Sequence, residues 1–547
     1  MREDLRVRVA AWVAADPDDA DRAELGNLLD AGNEVELSRR FDAPLNFGTA
    51  GLRGPVMAGP AGMNRLTVRR ATQGVIAWLA ETGADPTRGV VVGRDARNGS
   101  ERFNDEVVAV LLGAGVVVWE MPRPAPTPFV PYCVKALGAA AGIMITASHN
   151  PPRDNGYKLY AGDGAQIIPP NDEIVERHAA EAGTPTLGKR GGAGHHVVEA
   201  SLLATYRDHM VERFGVDSDL AIAYTALHGV GGAPMTELFA AAGFDNVHVV
   251  ASQFAPDPSF PTLPFPNPEE PGALDEAMRS ADAVGADLII ANDPDADRLG
   301  VAVRDKGSWR PLRGDEIGWL LASALLPGAS PGDVVATTIV SSGLLEAVAA
   351  DAGIRYVTTL TGFKWISRAA GDGVLRFGYE EALGFAVDPM VADKDGLSAA
   401  LCLARLAHGL ALEGQTLVDR LDEIETRFGV HAGTQVSVRA EGAEGLAAIA
   451  EVVARLRSTP PAALGGLAVT DAADLSEGWR GLPPTEGVRW QMGEVGRVVV
   501  RPSGTEPKLK AYLEVVQPPT SSLADARSEA LKVLDAVRRS VEELTAL

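Results

Sequence analysis

The stretch ADLIIANDPDADRLG sets three carboxylates, Asp293, Asp295 and Asp297, at alternate positions directly after an apolar run. Three carboxylates so close repel one another unless a hard cation sits among them, and an all-oxygen donor set suits Mg²⁺. A solvated acidic turn is the plain alternative. An EF-hand loop is a poor one, because its sixth and twelfth positions would be Arg298 and Arg304 instead of glycine and glutamate. Arg298 offers a fork of donors next to the carboxylates, which suits a phosphate.

Four further loops carry reactive residue types. TASHNPPRDNGYKLY follows the apolar run ALGAAAGIMI and holds Ser148, His149 and Lys158. No G-x-S-x-G elbow surrounds Ser148, so it is not a hydrolase nucleophile of that type. Neighbours on a loop rarely face each other, so Ser148 and His149 are not expected to pair as nucleophile and base. VRPSGTEPKLKAY gives a guanidinium, two hydroxyls and a bendable backbone in Arg501, Ser503, Gly504 and Thr505, a set able to wrap a phosphate or to form an ordinary turn. RFGYEEALGF places Glu380 and Glu381 where they could bond sugar hydroxyls or simply face water. In NFGTAGLRGP, Arg53 follows two glycines and could approach a phosphate. GTPTLGKR at 183–190 only nearly matches a P-loop: it ends in Arg190, follows a helical pattern and leads into glycines, and reads as linker.

Strands and helices must hold these loops. Three segments share one plan of apolar strand, polar turn, helix, glycine and second strand. They are GVVVGRDARN to VVVWEMP, LAIAYTALHGVGG to FDNVHVV, and DVVATTIVSS to IRYVTTL, with Gly115, Gly243 and Gly353 closing the helices. Continuous β-branched runs alternating with helical pattern imply parallel strands buried on both faces, whose ligands sit beyond the carboxyl ends. From about Phe428 the order becomes strand, helix, several strands and a last helix, an α+β domain. The fold class expected is therefore α/β: three consecutive similar mixed α/β domains plus a C-terminal α+β domain. The boundaries are 1–195, 196–306, 307–427 and 428–547. FAPDPSFPTLPFPNPEEPG, inside the second domain, is too long and proline-dense to be a mere turn.

The 547 residues allow roughly three to five domains, and the formal charge of −23 repels nucleic acid and anionic membranes. An anionic substrate would then need a local basic pocket or a metal ion. Two cysteines without metal-type spacing, no apolar leader and no membrane-length apolar run point to a cytoplasmic protein with neither nucleic acid nor membrane as partner.

TASHNP, DPDADR and RPSGTEPK, in that order across three α/β domains and a smaller tail, resemble the α-D-phosphohexomutases, the phosphoglucomutase and phosphomannomutase superfamily. NFGTAGLRG, TLTGFKWI and FGYEEALGF look most like its phosphopentomutase and glucose-1,6-bisphosphate synthase branch. The resemblance spans nearly the whole chain and implies that the four domains are arranged around a central cleft. It implies that Ser148 carries a phosphoryl group, with Asp293, Asp295, Asp297 and a phosphoserine oxygen holding Mg²⁺. Arg298, Arg53, His149 and Lys158 fall among the catalytic residues, Lys158 as candidate acid–base. Lys364, Glu380, Glu381 and Lys394 match sugar-contacting positions, and Arg501, Ser503, Gly504 and Thr505 match the anchor for the phosphate that is not transferred. The implied activity interconverts sugar 1-phosphate and sugar 6-phosphate, for glucose, mannose or both, with glucose 1,6-bisphosphate as activator, in a monomer or homodimer. Where many phosphoglucomutases have a serine after the paired glutamates, this chain has Ala382, which leaves a pentose open. Two rivals are a bisphosphate synthase and a non-catalytic Mg²⁺- or phosphate-binding protein.

Overall fold

The apolar run ahead of Ser148 forms the strand Ala141–Ile145, every residue of which is buried. A strand with no exposed face requires cover on both sides. In the computed structural model, which describes residues 1–48, 51–440, 442–503, 508–518 and 522–546, this strand lies inside a six-stranded sheet. It runs parallel to Val90–Arg94, which in turn runs parallel to Val118–Glu120. On its other side Asp154–Ala161 and then Leu52–Pro55 add antiparallel. The helices Arg65–Glu81 and Ser100–Gly113 contribute Val75, Trp78, Phe103 and Val107 to one core with Val92, Ile143 and Tyr157. Three helices, Glu3–Ala15, Asp19–Asp30 and Glu34–Phe41, precede this sheet and share a smaller core of Leu5, Val9, Trp12, Leu25 and Leu37.

The second sheet repeats the plan. Ile222–Thr225 lies parallel between Val247–Val249 and Leu288–Ala291, and Gly300–Asp305 and Ser308–Pro311 extend it antiparallel. The third unit does so with Asp333–Thr338 parallel to both Arg355–Thr359 and Val374–Glu380. The glycines that end the three repeat helices, Gly115, Gly243 and Gly353, have φ of 76°, 85° and 70°, the left-handed conformation that a residue without Cβ adopts freely. The C-terminal part departs from the parallel plan. Val430–Arg439, Lys508–Gln517, Gly496–Pro502, Val488–Met492 and Asp471–Asp474 form an antiparallel sheet with the helices Gly442–Ser458 and Leu523–Thr545. The architecture is the expected three mixed α/β domains and an α+β tail.

By compactness the chain divides into two units, Met1–Leu312 with Gly384–Arg405, and Arg313–Leu383 with Leu406–Leu547. Inside the second unit a buried ion pair ties the antiparallel sheet to the third α/β domain. Arg497 Nε lies 3.0 Å from Glu514, Glu514 accepts from Gly343 N at 3.0 Å, and the Arg497 fork also donates to Ile339 O and Ser341 O. Among the described residues, no helix is long and apolar enough to cross a membrane. Cys133 and Cys402 are both buried.

Candidate phosphoryl-transfer site

The strand Ala141–Ile145 ends three residues before Ser148, and Leu288–Ala291 ends two residues before Asp293. Both loops leave the carboxyl ends of parallel strands in the first unit, where open α/β sheets bind ligands. They meet. Ser148 Oγ donates to Asp293 Oδ2 at 2.8 Å, and Asp293 Oδ1 accepts from Arg298 N at 3.0 Å. Two tight approaches make this possible. A Cβ on Gly229 would lie 2.3 Å from Pro294 Cα, and one on Gly396 would lie 2.3 Å from Arg298 O, so only glycine fits at either position.

The three aspartates are fully buried, and one oxygen of each lies within 4.8 Å of the others. Their charge is met from within the chain. Lys158 Nζ donates to Asp295 Oδ2 at 2.8 Å and to Asp297 Oδ2 at 2.7 Å, and Lys394 Nζ lies 3.1 Å from Asp297. Asp295 also accepts from Thr127 Oγ1 at 2.7 Å and Thr146 Oγ1 at 3.2 Å. Asp295 Oδ1 and Asp297 Oδ1 are buried and accept no hydrogen bond from the described residues. Orphaned carboxylate oxygens within reach of Asp293 are the hard donors a magnesium ion takes, so these residues fit one.

Burial pushes the Asp293 carboxyl well above the usual range, and the charges of Asp295 and Asp297 add to the rise. Burial acts on Asp295 in the same direction, but the Lys158 ammonium, with the Thr127 hydroxyl and Lys394, outweighs it and holds Asp295 below the usual range. One face of the cluster is thus compensated by lysine, and the face toward Ser148 is not.

His149 sits otherwise than its place beside the serine suggests. Its Nδ1 lies 3.2 Å from Ser148 Oγ. Adjacent residues face each other here because Ser148 has a left-handed backbone, φ 53°, an unusual state for a residue with a Cβ. Ser148 N donates back to Thr146 Oγ1 at 2.9 Å, which closes the turn. Burial, followed by the nearby Arg298 and Arg53 cations, pushes the His149 imidazole well below its ordinary value. Arg53, on the strand Leu52–Pro55, donates to Asn150 Oδ1 at 3.3 Å, and burial lowers its pKa. The Arg298 fork reaches Glu269 at 3.3 Å.

Ser148, His149, Lys158, Arg53, the three aspartates, Arg298 and Lys394 therefore come together in the first unit. Lys394, whose position resembled a sugar contact, lies on Asp297.

The remaining candidates lie in the second unit. Glu380 ends the strand Val374–Glu380 and accepts from Gly362 N at 2.7 Å, two residues before the buried Lys364. Glu381 turns toward Ser341 Oγ at 2.8 Å and Thr338 Oγ1 at 3.3 Å, and burial, with Glu380 and Asp315 nearby, pushes its carboxyl up to about 7. Arg501 lies near the end of the strand Gly496–Pro502 opposite Lys510, and Ser503 N donates to Lys508 O at 2.7 Å. Gly504 and Thr505 lie outside the described residues.

The chain matches, in order, phosphoglucomutase/phosphomannomutase alpha/beta/alpha domain I over residues 44–185, domain II over 204–307, domain III over 313–428 and the C-terminal domain over 438–531. The chain belongs to the phosphoglucomutase/phosphomannomutase family. It is an enzyme of the phosphosugar-mutase class, an isomerase. A probable phosphomannomutase of Haemophilus influenzae is 38% identical over 471 residues, covering 83% of this chain and 93% of that protein. A phosphopentomutase of Mus musculus is 35% identical over 570 residues, covering 95% and 91%. A putative phosphomannomutase of Thermus thermophilus, 23% identical, shares the fold with a TM-score of 0.69 over 91% of this chain and 99% of that one.

Sequence reasoning about this family member missed Thr127 and Arg97. Thr127 stands in the loop APTPFV, and its N–H and hydroxyl both go to Asp295. Each is an ordinary polar residue in sequence, and only a contact across more than fifty positions gives it a role.

Proposed function

We propose that this protein interconverts sugar 1-phosphates and sugar 6-phosphates, with glucose, mannose or both as the sugars, through a phosphoserine at Ser148 and a sugar bisphosphate. The observation that carries this reading is the meeting of Ser148 Oγ with Asp293 at 2.8 Å, inside a cluster of cations and carboxylates. Asp293, Asp295 and Asp297 would hold Mg²⁺ together with an oxygen of the phosphorylated serine, and the ion would draw charge from the phosphoryl oxygens.

In the first half of the cycle the bond between phosphorus and Ser148 Oγ breaks, and a bond forms from phosphorus to the free hydroxyl of the sugar phosphate. The proton of that hydroxyl passes to Ser148 Oγ, and His149 Nδ1, 3.2 Å away, is the side chain placed to carry it. In the second half the other phosphate of the bisphosphate returns to Ser148, and the serine proton moves back to the sugar oxygen. Arg298 and Arg53 supply guanidinium charge to the group in transit. Lys158 holds Asp295 and Asp297 in place and lends positive charge. Glu380, Glu381 and Lys364 are proposed as sugar contacts, and the 501–505 loop as the grip on the phosphate that stays. Glucose 1,6-bisphosphate would prime the serine.

A pentose 1-phosphate is a second reading, favoured by Ala382 and by the phosphopentomutase likeness over 95% of the chain. Phosphorus NMR on the purified protein with Mg²⁺ and a trace of glucose 1,6-bisphosphate separates the two. Glucose 1-phosphate, mannose 1-phosphate and ribose 1-phosphate are offered in separate tubes. Fast hexose conversion supports the first reading, dominant ribose conversion the second, and no conversion of any of them overturns both.

A further inference from the structure

Arg97, in the GRDARN turn after the strand Val90–Arg94, is 4% exposed and makes no contact that its sequence position announces. Its guanidinium donates to the carbonyl of Ser148, to Asn150 O at 2.8 Å, to Pro151 O at 3.0 Å and to Asp154 O at 3.4 Å. One fork thus gathers the backbone on both sides of the turn that presents the serine. The arginine is itself fixed. Its Nε lies 3.3 Å from Asp95 Oδ2, and Asp95 Oδ1 accepts from Arg97 N at 3.0 Å and from Ser100 Oγ at 2.5 Å.

The outer face of the same guanidinium is covered from the second sheet. Phe260 places its ring centroid 4.9 Å from the guanidinium carbon. Phe260 is 3% exposed and left-handed, φ 47°, so the chain around it is bent to deliver this ring. It belongs to the proline-dense segment that no part of the catalytic scheme uses. That segment is anchored to the loop carrying His228: Asp257 N donates to His228 O at 3.0 Å, and His228 Nε2 lies 2.8 Å from Thr262 Oγ1. Val230 N in turn donates to Pro294 O at 2.8 Å, between the first two aspartates. Further along the same segment, Glu269 takes the Arg298 fork.

We propose that Arg97 and Phe260 are positioning residues, and that the proline-dense segment exists to hold the Ser148 turn of the first sheet in register with the aspartates of the second. The inference rests on Ser148 as the phosphoryl carrier. The ring stacks on the guanidinium, the guanidinium sets the left-handed backbone of Ser148, and that backbone aims Oγ at Asp293. A lysine keeps the charge but offers no planar fork for four carbonyls and stacks less well on a ring.

The test uses full-length Arg97→Lys and Phe260→Leu proteins, with steady-state kinetics and amide hydrogen exchange. For Arg97→Lys, kcat falls about 100-fold, as a displaced reacting group requires, while KM for the sugar 1-phosphate stays within about threefold. Exchange at amides 147–150 speeds at least about tenfold, and the strands Ala141–Ile145 and Leu288–Ala291 keep their protection. Phe260→Leu shifts both readouts the same way, with kcat lower by about fivefold. Wild-type kcat in Arg97→Lys overturns the proposal, and so does exchange that rises equally in the strands, which marks a merely structural arginine. If Arg97→Lys does not fold, Phe260→Leu decides alone, and unchanged kcat with unchanged exchange at 147–150 refutes the pair. Exchange needs no turnover, so failure of the mutase reading leaves that arm of the test standing.

Discussion

Ser148 Oγ and Asp293 Oδ2 lie 2.8 Å apart across 145 positions of sequence, and nothing but the packing of two separate α/β sheets brings them together. The serine turn is strained, the aspartate is buried, and each is held by its own domain. Both are therefore set before any substrate arrives, the condition under which positioning and electrostatics lower a barrier most.

Replacing Ser148 with alanine removes the acceptor and leaves the fold intact, since Oγ contributes only its two hydrogen bonds, to Asp293 and His149, in a site already crowded with polar groups. Mutase activity falls by at least about 10⁴-fold, as for loss of a nucleophile elsewhere. Incubation with glucose 1,6-bisphosphate followed by intact-mass measurement then finds no phosphorylated protein, while the wild type takes up one phosphoryl group. Near-normal activity in Ser148→Ala would remove the serine from the mechanism.

The same geometry says how far the sequence could be read. The threefold repeat was legible because parallel strands buried on both faces leave unbroken apolar runs, and Gly115, Gly243 and Gly353 mark where each helix stops. The three aspartates were legible because close like charges ask for a cation. That this cation is in part Lys158 and Lys394 was not, because an ion pair between residues more than ninety positions apart leaves no local pattern. His149 was misread for a different reason. The expectation that neighbours do not face each other holds for ordinary backbone, and the left-handed φ of Ser148 cannot be inferred from a residue that usually avoids it. Arg97 and Phe260 stayed hidden because their role depends on carbonyls and a ring that no sequence motif names.

Lys158 is the chief counter-charge of the buried carboxylates, at 2.8 Å and 2.7 Å from two of them. Truncating one partner of a buried pair leaves the other charge uncompensated and costs about 3–5 kcal/mol. Lys158→Met is thus expected to unfold at lower urea than wild type in the presence of chelator. Added Mg²⁺ narrows the gap, because an ion bound only by the folded state stabilises it by mass action. Urea titrations of both proteins, each with EDTA and with Mg²⁺, check this. An equal midpoint for the two proteins in EDTA would mean that Lys158 does not carry the compensation.

Glu381 gives a pH dependence of defined sign. Its carboxyl is raised from 4.5 to about 7, first by burial and then by Glu380 and Asp315. The folded state therefore binds a proton that the unfolded state has lost across that interval, and stability from this group falls as pH rises from about 4.5 to 7. Below that window the group costs nothing, and above it the full penalty of a buried carboxylate is present. Glu381→Gln, which keeps the shape without the charge, removes this slope. Melting temperatures of both proteins at half-unit steps from pH 5 to 8 should diverge steadily toward the alkaline end, the variant being the more stable. Parallel curves would show that Glu381 titrates as an ordinary carboxyl.

Ala382 is the residue we propose as bearing on the choice of sugar. It follows the two glutamates and precedes Leu383, whose left-handed backbone, φ 62°, makes the turn tight and fixes where a side chain at 382 can point. A serine there would add one hydroxyl able to bond a sugar hydroxyl, and one neutral hydrogen bond contributes about 1 kcal/mol net. That energy is a factor of about five in kcat/KM, small enough to leave catalysis intact and large enough to measure. Ala382→Ser is expected to raise kcat/KM for glucose 1-phosphate by about that factor relative to ribose 1-phosphate, with each substrate assayed alone under the same Mg²⁺ and bisphosphate. A rise shared equally by both sugars would mean that the new hydroxyl meets a group common to hexose and pentose. No change in either would place the choice of sugar elsewhere in the second unit, with Lys364 and Glu380 the next residues to exchange.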